Sequence, residues 1–170
     1  MVSARSAQGP HTFAQDSTEK QLVTFQVGTE EYAFSLSKIQ EIIRLSRITR
    51  LPNTSSFNVG VINLRGDIIS IYDLRTLLSQ AAADHTKNSR IIIVNYGATT
   101  IGLLVDKVSQ VVKVPPSSLQ PPPAVDSDQH SVEALCRVGS HLIILLDMDK
   151  ILNTRTSCRV LQQERSAGDA

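Results

Sequence analysis

The sequence predicts an all-β protein with short helices, folded as two small β-barrel lobes related by internal duplication. Three observations lead there. First, one stretch of sequence occurs twice. Laying Gly97 over Gly28 sets QLVTFQVGTEEYAFSLSKIQEIIRL (Gln21 to Leu45) on RIIIVNYGATTIGLLVDKVSQVVKV (Arg90 to Val114) without a gap. Phe25 then falls on Val94, Phe34 on Leu103, Lys38 on Lys107 and Ile42-Ile43 on Val111-Val112. A second pair, IISIYDLRTLL (Ile68 to Leu78) and LIILLDMDKIL (Leu142 to Leu152), matches at a slightly larger shift, with Asp73 on Asp147. Alternation alone would match apolar positions between any two hairpins. It would not reproduce the order of strand, glycine turn, strand, mixed segment and strand, so the repeat governs every local reading. Second, many short apolar runs are separated by tight turns, the pattern of small barrels, whose closure removes exposed strand edges. Third, Trp is absent and aromatic residues make up 4% of the chain. Packing must rest on Ile, Leu and Val, and the β-branched pair among them favours strands.

The elements follow in order. Residues 1–20 are small and polar and read as a flexible tail. Gln21 to Val27 alternates as a strand, Gly28-Thr29 turns, and Glu31 to Leu36 returns. Ser37 to Ile43 carries Ile39, Ile42 and Ile43, a spacing that suits either a short helical turn or a bent strand. Ile48 to Leu51 reads as a short strand stopped by Pro52-Asn53. Ser55 to Asn58 is a loop or single helical turn. In Val59 to Leu78, two apolar stretches flank Arg65-Gly66-Asp67, a hairpin turn with Gly66 at positive φ. Asp73 is placed to cap a short helix, Leu74 to Leu78, by accepting orphan backbone N–H groups. Gln80 to Ser89 is a polar connector.

The second copy supplies strands at Arg90 to Tyr96, Thr100 to Val105 and Val108 to Val114. Pro115-Pro116 and Pro121-Pro122-Pro123 bracket a stiff loop to about His130, where proline forbids a central strand. Val132 to Val138 and Leu142 to Leu146 pair through Gly139-Ser140. Asp147 to Asn153 repeats the short helix. The polar tail from Thr154 holds a further possible helical turn at Val160-Leu161. The domain therefore spans residues 21–153, with lobe one at about 21–80 and lobe two at about 90–153. Lobes of that size are marginal alone, so the two are expected to share a core.

Composition removes several function classes. The net charge is +1, without the basic excess that phosphate binding requires, so nucleic acid is not the expected partner. No run reaches transmembrane length, and the N-terminal residues lack the apolar core of a signal peptide. A cytoplasmic location without direct membrane insertion is expected. Cys136 lies in an apolar run and reads as a small buried hydrophobe. Cys136 and Cys158 have no metal-ligand spacing, and a reducing compartment leaves them unpaired.

No catalytic constellation can be assembled. The serine nucleophile elbow, the phosphate-binding Gly-Lys-Ser/Thr loop and the dinucleotide glycine fingerprint are all missing, and no metal or cofactor is expected. His11, His85 and His130 lie in tail or loop, and His141 opens a strand at the surface. Asp73, Asp106 and Asp147 could be imagined as a set, but Asp73 and Asp147 are repeat-equivalent, as capping residues would be. What remains is the placement of charge. Glu41 sits among Ile39, Ile42 and Ile43, and Arg65 ends an apolar run. Such an edge of one acid and one base would orient a protein partner. Arg65 has two readings, a contact residue or an internal strut paired with Glu41 or with backbone carbonyls.

Three segments carry a family resemblance: EEYAFSLSKIQEII (Glu30 to Ile43), ITRLPNTSSFNVGVINLRGDIISIYDLR (Ile48 to Arg75) and IGLLVDKVSQVV (Ile101 to Val112). GVINLRG followed by an apolar strand and DLR is specific in combination. Over roughly Gln21 to Asn153 the chain resembles the CheW family of bacterial chemotaxis coupling proteins. The resemblance implies two SH3-like five-stranded barrels around a shared hydrophobic region. It also implies a non-enzymatic adaptor in a two-component pathway, joining the cytoplasmic helical tip of a methyl-accepting chemoreceptor to the regulatory domain of a CheA-type histidine kinase. Receptor arrays at the inner membrane would be its place. Whether it serves flagellar chemotaxis, pilus motility or another chemosensory pathway is left open. The family's partner-binding residues carry over to Ile39, Glu41, Gly60, Asn63, Leu64, Arg65 and Gly66, with Leu36 lining the same region. Pro121 to His130 departs from the family spacing.

Overall fold

A computed structural model describes residues 18–123 and 131–153. Among the described residues eleven strands are found: β1 (Lys20–Val27), β2 (Glu30–Ser35), β3 (Ile39–Arg44), β4 (Asn58–Leu64), β5 (Asp67–Asp73), β6 (Arg90–Tyr96), β7 (Thr99–Val105), β8 (Lys107–Val114), β9 (Leu119–Gln120), β10 (Val132–Val138) and β11 (His141–Leu146). A short helix α1 (Leu74–Leu77) follows β5, and residues 148–153 form its counterpart α2 after β11. Both sit where the repeat requires them. Asp73 Oδ1 accepts the Arg75 backbone N–H at 2.9 Å, and Asp147 Oδ1 accepts that of Lys150 at 3.1 Å. Asp73 and Asp147 are thus capping residues.

Local differences from the expected elements are small. The ambiguous stretch after β2 is a 3-10 turn, Leu36–Lys38, running into β3. The strand expected at Ile48 to Leu51 shrinks to one bridge, Thr49 with Val61. The proline loop holds a 3-10 turn, Pro116–Ser118, and the two-residue β9. Its remainder, Cys158 and the turn expected at Val160-Leu161 lie outside the described residues. Cys136 is buried.

The larger difference is in how the repeats share the sheets. One sheet runs β8-β1-β2-β11-β10-β9 and the other β3-β6-β7-β5-β4. Each sheet therefore combines the first hairpin of one repeat with the later strands of the other. The sheets do not divide into residues 21–80 and 90–153. The physical reason is visible at the crossings. The 3-10 turn Leu36–Lys38 carries the chain from β2 into the second sheet. Asp106 alone separates β7 from β8, which belongs to the first. Alternation reports which face a residue buries, but not which strand lies beside it.

The register confirms the duplication through this exchange. β11 pairs parallel to β2 with Ile144 opposite Tyr32 and Leu145 opposite Ala33. β5 pairs parallel to β7 with Ser70 opposite Ile101 and Ile71 opposite Gly102, the repeat-equivalent residues in each case. The β1–β8 and β3–β6 pairs are bulged at equivalent places, between Thr24 and Phe25 and between Ile39 and Glu41.

Among the described residues three apolar clusters result. Leu22, Ala33, Cys136 and Leu145 centre one barrel interior. Ile62, Ile71, Ile91 and Leu104 centre the other. Between them lies a shared core around Phe25, Phe34, Leu74, Ile92, Leu103 and Met148. Phe25 and Phe34 meet there at a ring-centroid distance of 4.9 Å, a favourable aromatic contact.

Candidate partner-docking site

β3 and β4 are the two outer strands of the five-stranded sheet. Glu41 projects from β3 and Arg65 stands just beyond β4. The Arg65 Nη1 donates to Glu41 Oε1 at 2.7 Å and Nη2 to Oε2 at 2.9 Å. This parallel fork is the strongest pairing geometry the two side chains can form. It ties one edge of the sheet to the other and completes the barrel where the backbone ladder does not. The Arg65 hydrogen bonds hold the Glu41 carboxyl below its usual pKa, against a smaller opposing effect of lost hydration. Glu41 in turn raises the Arg65 guanidinium. The acid is mostly covered, whereas the Arg65 side chain is 71% exposed, so one flank of the guanidinium faces solvent.

The turn that carries Arg65 is built for this. Arg65 has φ 52 and Gly66 φ 93, and Leu64 pairs with Asp67. Two positive φ values make a two-residue hairpin loop matched to the strand twist. Glycine adopts this conformation freely, arginine does not. Asn63 Oδ1 accepts the Gly66 backbone N–H at 2.8 Å and holds the loop shut. Leu64 packs on the barrel-interior cluster.

Five of the eight carried-over residues, Glu41, Asn63, Leu64, Arg65 and Gly66, therefore converge at one corner. Ile39 begins the same strand but packs against the shared core. Leu36 is half-buried in the preceding 3-10 turn. Gly60 stands apart from the surface. It is buried, with φ 136, and a Cβ there would collide with the Thr49 carbonyl oxygen and the Ile48 side chain. With no Cβ, Gly60 lets the 45–51 segment approach β4 closely.

One residue that sequence reasoning left out, Ile68, stands at this corner, while Ile42, already named beside Glu41, is exposed on the opposite side of β3. Ile42 and Ile68 are among the exposed large apolar side chains, Ile68 at 68%. Ile68 lies opposite Asn63 in the β4–β5 register. The signal was present, since an apolar residue two places after a turn glycine on an alternating strand must face one side or the other.

A second polar cluster braces the lobes. Asp106, at the β7–β8 corner, accepts the Arg75 Nε at 2.8 Å and also pairs with the Arg75 Nη2. It further accepts the Gly28 backbone N–H at 2.8 Å. Asp73, Asp106 and Asp147 are thus all engaged in caps and struts. Among the described residues no three His, Cys, Asp or Glu are grouped to hold a metal ion, and no helix is long and apolar enough to cross a membrane.

The corner thus brings together a half-exposed ion pair and the exposed Ile68 on the five-stranded sheet. Comparison with known proteins gives the family. Residues 21–156 match the CheW-like domain. The chain is 34% identical over 143 residues to a chemotaxis protein CheW of Klebsiella aerogenes, covering 83% of this chain and 86% of that one. It is 28% identical to protein FrzA of Myxococcus xanthus, covering 83% and 90%. The crystal structure of the scaffolding protein TtCheW from Thermoanaerobacter tengcongensis superposes with a TM-score of 0.74 at 32% identity, over 79% of this chain and 92% of that chain. The chain belongs to the CheW family, and its fold is the pair of SH3-like lobes.

Proposed function

We propose that the protein is a non-enzymatic adaptor that couples methyl-accepting chemoreceptors to a CheA-type histidine kinase at the cytoplasmic face of receptor arrays. Docking uses the corner formed by Glu41, Asn63, Leu64, Arg65 and Gly66, with Leu36 and Ile39 beside it and Gly60 supporting it from below. The observation that carries this reading is the Arg65 guanidinium, fixed on one side by Glu41 and open to solvent on the other. Ile68, opposite Asn63 at the base of the same turn, supplies apolar contact, and a helical hairpin offers the matching apolar stripe. The free half of the guanidinium selects orientation through a carboxylate or carbonyl. Signal transmission then requires only that the adaptor bind the kinase-on and kinase-off arrangements with different free energies.

The test is titration of the purified protein with a receptor-tip fragment and with the kinase regulatory domain. Arg65→Glu is expected to weaken at least one of the two by about tenfold to a hundredfold, the loss of a charge-assisted hydrogen bond. Its melting temperature is expected to fall little, as for a surface substitution. Wild-type affinity for both partners, or a large drop in melting temperature, would remove Arg65 from the docking site.

A further inference from the structure

The most unbalanced surface outside that corner lies at the far end of β3. The run RLSRITR (Arg44 to Arg50) carries three arginines and no acid. Arg44 lies directly opposite Arg90 in the β3–β6 register, a like-charged cross-strand pair that is destabilising in itself. Arg90 Nη1 donates to the carbonyls of Lys87 at 3.0 Å and Ser89 at 2.8 Å, which brings Lys87 to the same end. Arg44, Arg47, Arg50 and Lys87 are exposed. Among the described residues none of the five cations takes part in an ion pair. Glu41, three residues before Arg44, is held by Arg65, and Asp106, next to the Val105 that faces Arg90, is held by Arg75, while Asp84 sits in the polar connector. The chain has 17 Lys and Arg against 16 Asp and Glu, so gathering five cations here leaves the rest net negative.

The segment is also held in place. Thr49 exchanges two backbone hydrogen bonds of 2.8 Å with Val61, and Gly60 provides the space beneath it. The backbone between Arg47 and Arg50 is therefore pinned at Thr49, which lowers the ordering cost of binding.

We propose that Arg44, Arg47, Arg50, Lys87 and Arg90 form an electrostatic docking surface for a carboxylate-bearing segment of the protein partner seated at the Glu41–Arg65 corner. The inference rests on the adaptor reading above. Three features favour an acidic protein segment. The patch begins three residues from Glu41 on β3. Exposed Leu51 lies next to Arg50 and offers aliphatic contact. Four of the five cations are arginines, whose planar fork matches carboxylates bidentately. A single-stranded nucleic acid would want an aromatic platform, and residues 44–51 contain none.

The experiment measures association of wild type, Arg44→Glu/Arg47→Glu and Arg65→Glu with the receptor-tip fragment and the kinase regulatory domain, from about 50 mM to 1 M salt. At low salt the double variant is expected to associate with one partner about tenfold or more slowly. Its rate should converge on wild type at high salt, where exposed charges are screened. Its melting temperature is expected to equal or exceed that of wild type, because the Arg44–Arg90 repulsion is gone. Unchanged rates with both partners at low salt overturn the proposal while leaving the Arg65 result intact. Loss of binding only to vesicles containing anionic phosphatidylglycerol, or only to a DNA duplex, overturns it in favour of a membrane or nucleic acid. If wild type binds neither protein partner, the adaptor reading fails and this inference falls with it.

Discussion

At the scale of single residues, the Glu41–Arg65 fork explains why two charges occupy an otherwise apolar corner. Arg65 lowers the pKa of Glu41 chiefly by hydrogen bonding and also by its charge, while partial burial opposes it. A carboxyl whose folded-state pKa is depressed contributes stability above its ordinary pKa and loses it as pH falls through the lowered value. The pair is therefore intact at neutral pH and lost only in acid below the usual carboxylate range. Because Arg65 is largely exposed, the effect on overall stability is small, and the titration of Glu41 itself is the sharper readout. In Arg65→Gln the Glu41 carboxyl is expected to titrate at higher pH than in wild type, followed by carbon-detected NMR of the side-chain carboxyl. An unchanged midpoint would show that the fork does not persist in solution. Sequence left Arg65 with two readings because Glu41 lies 24 positions away on a strand whose partner could not be read. The structure pairs them, and the exposed flank of the guanidinium leaves room for contact as well.

At the scale of elements, what was legible and what was not divide along one line. Features set within a few residues were readable. Asp73 caps α1, Gly66 takes positive φ, and Gly28 and Gly97 occupy equivalent turns with φ 63 and 59. Features set by distant pairing were not. The strand expected at Ile48 to Leu51 is one antiparallel bridge, Thr49 with Val61, against a β4 partner that no local signal marks. The Asp106 strut shows the same limit. Its partners Arg75 and Gly28 lie 31 and 78 positions away, so nothing local marks it. Asp106 joins α1, the β1–β2 turn and the β7–β8 corner, and both members of its ion pair are mostly covered. Asp106→Asn retains a carbonyl for Gly28 but removes the charge facing Arg75. It is expected to lower unfolding free energy by about 1–3 kcal/mol, the range for a charge-assisted bond in a partly covered site. Denaturant titration checks this. Partner affinity is expected to stay at wild type, and a loss of affinity in the folded variant would give Asp106 a role beyond bracing.

At the scale of the molecule, duplication and exchange make one unit out of two repeats. Each sheet takes a hairpin from one repeat and the remaining strands from the other. Repeat equivalence suggests that a lone first repeat could close on itself, with β1–β2 standing where β6–β7 stands. The side chains oppose this. β7 carries Gly102 beside Ile71, and a Cβ there would lie 2.5 Å from Ile71 Cδ1 and 2.7 Å from Ile91 Cγ2. The equivalent residue of β2 is Ala33, which fits its own sheet among Leu22 and Leu145. Placed beside Ile71 it would force the packing apart, and overpacking of this kind costs about 1–3 kcal/mol. The first repeat would also lack half of the shared core, since Ile92, Leu103, Met148 and Ile151 come from the second. A chain ending at residue 85 is therefore expected to show no cooperative melt and no dispersed amide spectrum. Adding the complementary chain, residues 86–170, is expected to restore both, because the halves supply each other's missing strands. The full chain should lose both sheets in one transition, with probes in β1 and β6 giving coincident midpoints. A cooperative melt of the first chain alone would mean that the exchange is dispensable and that each repeat can complete its own barrel. Separate midpoints for β1 and β6 would mean that the shared core does not couple the sheets, and the molecule would then be two domains on one chain.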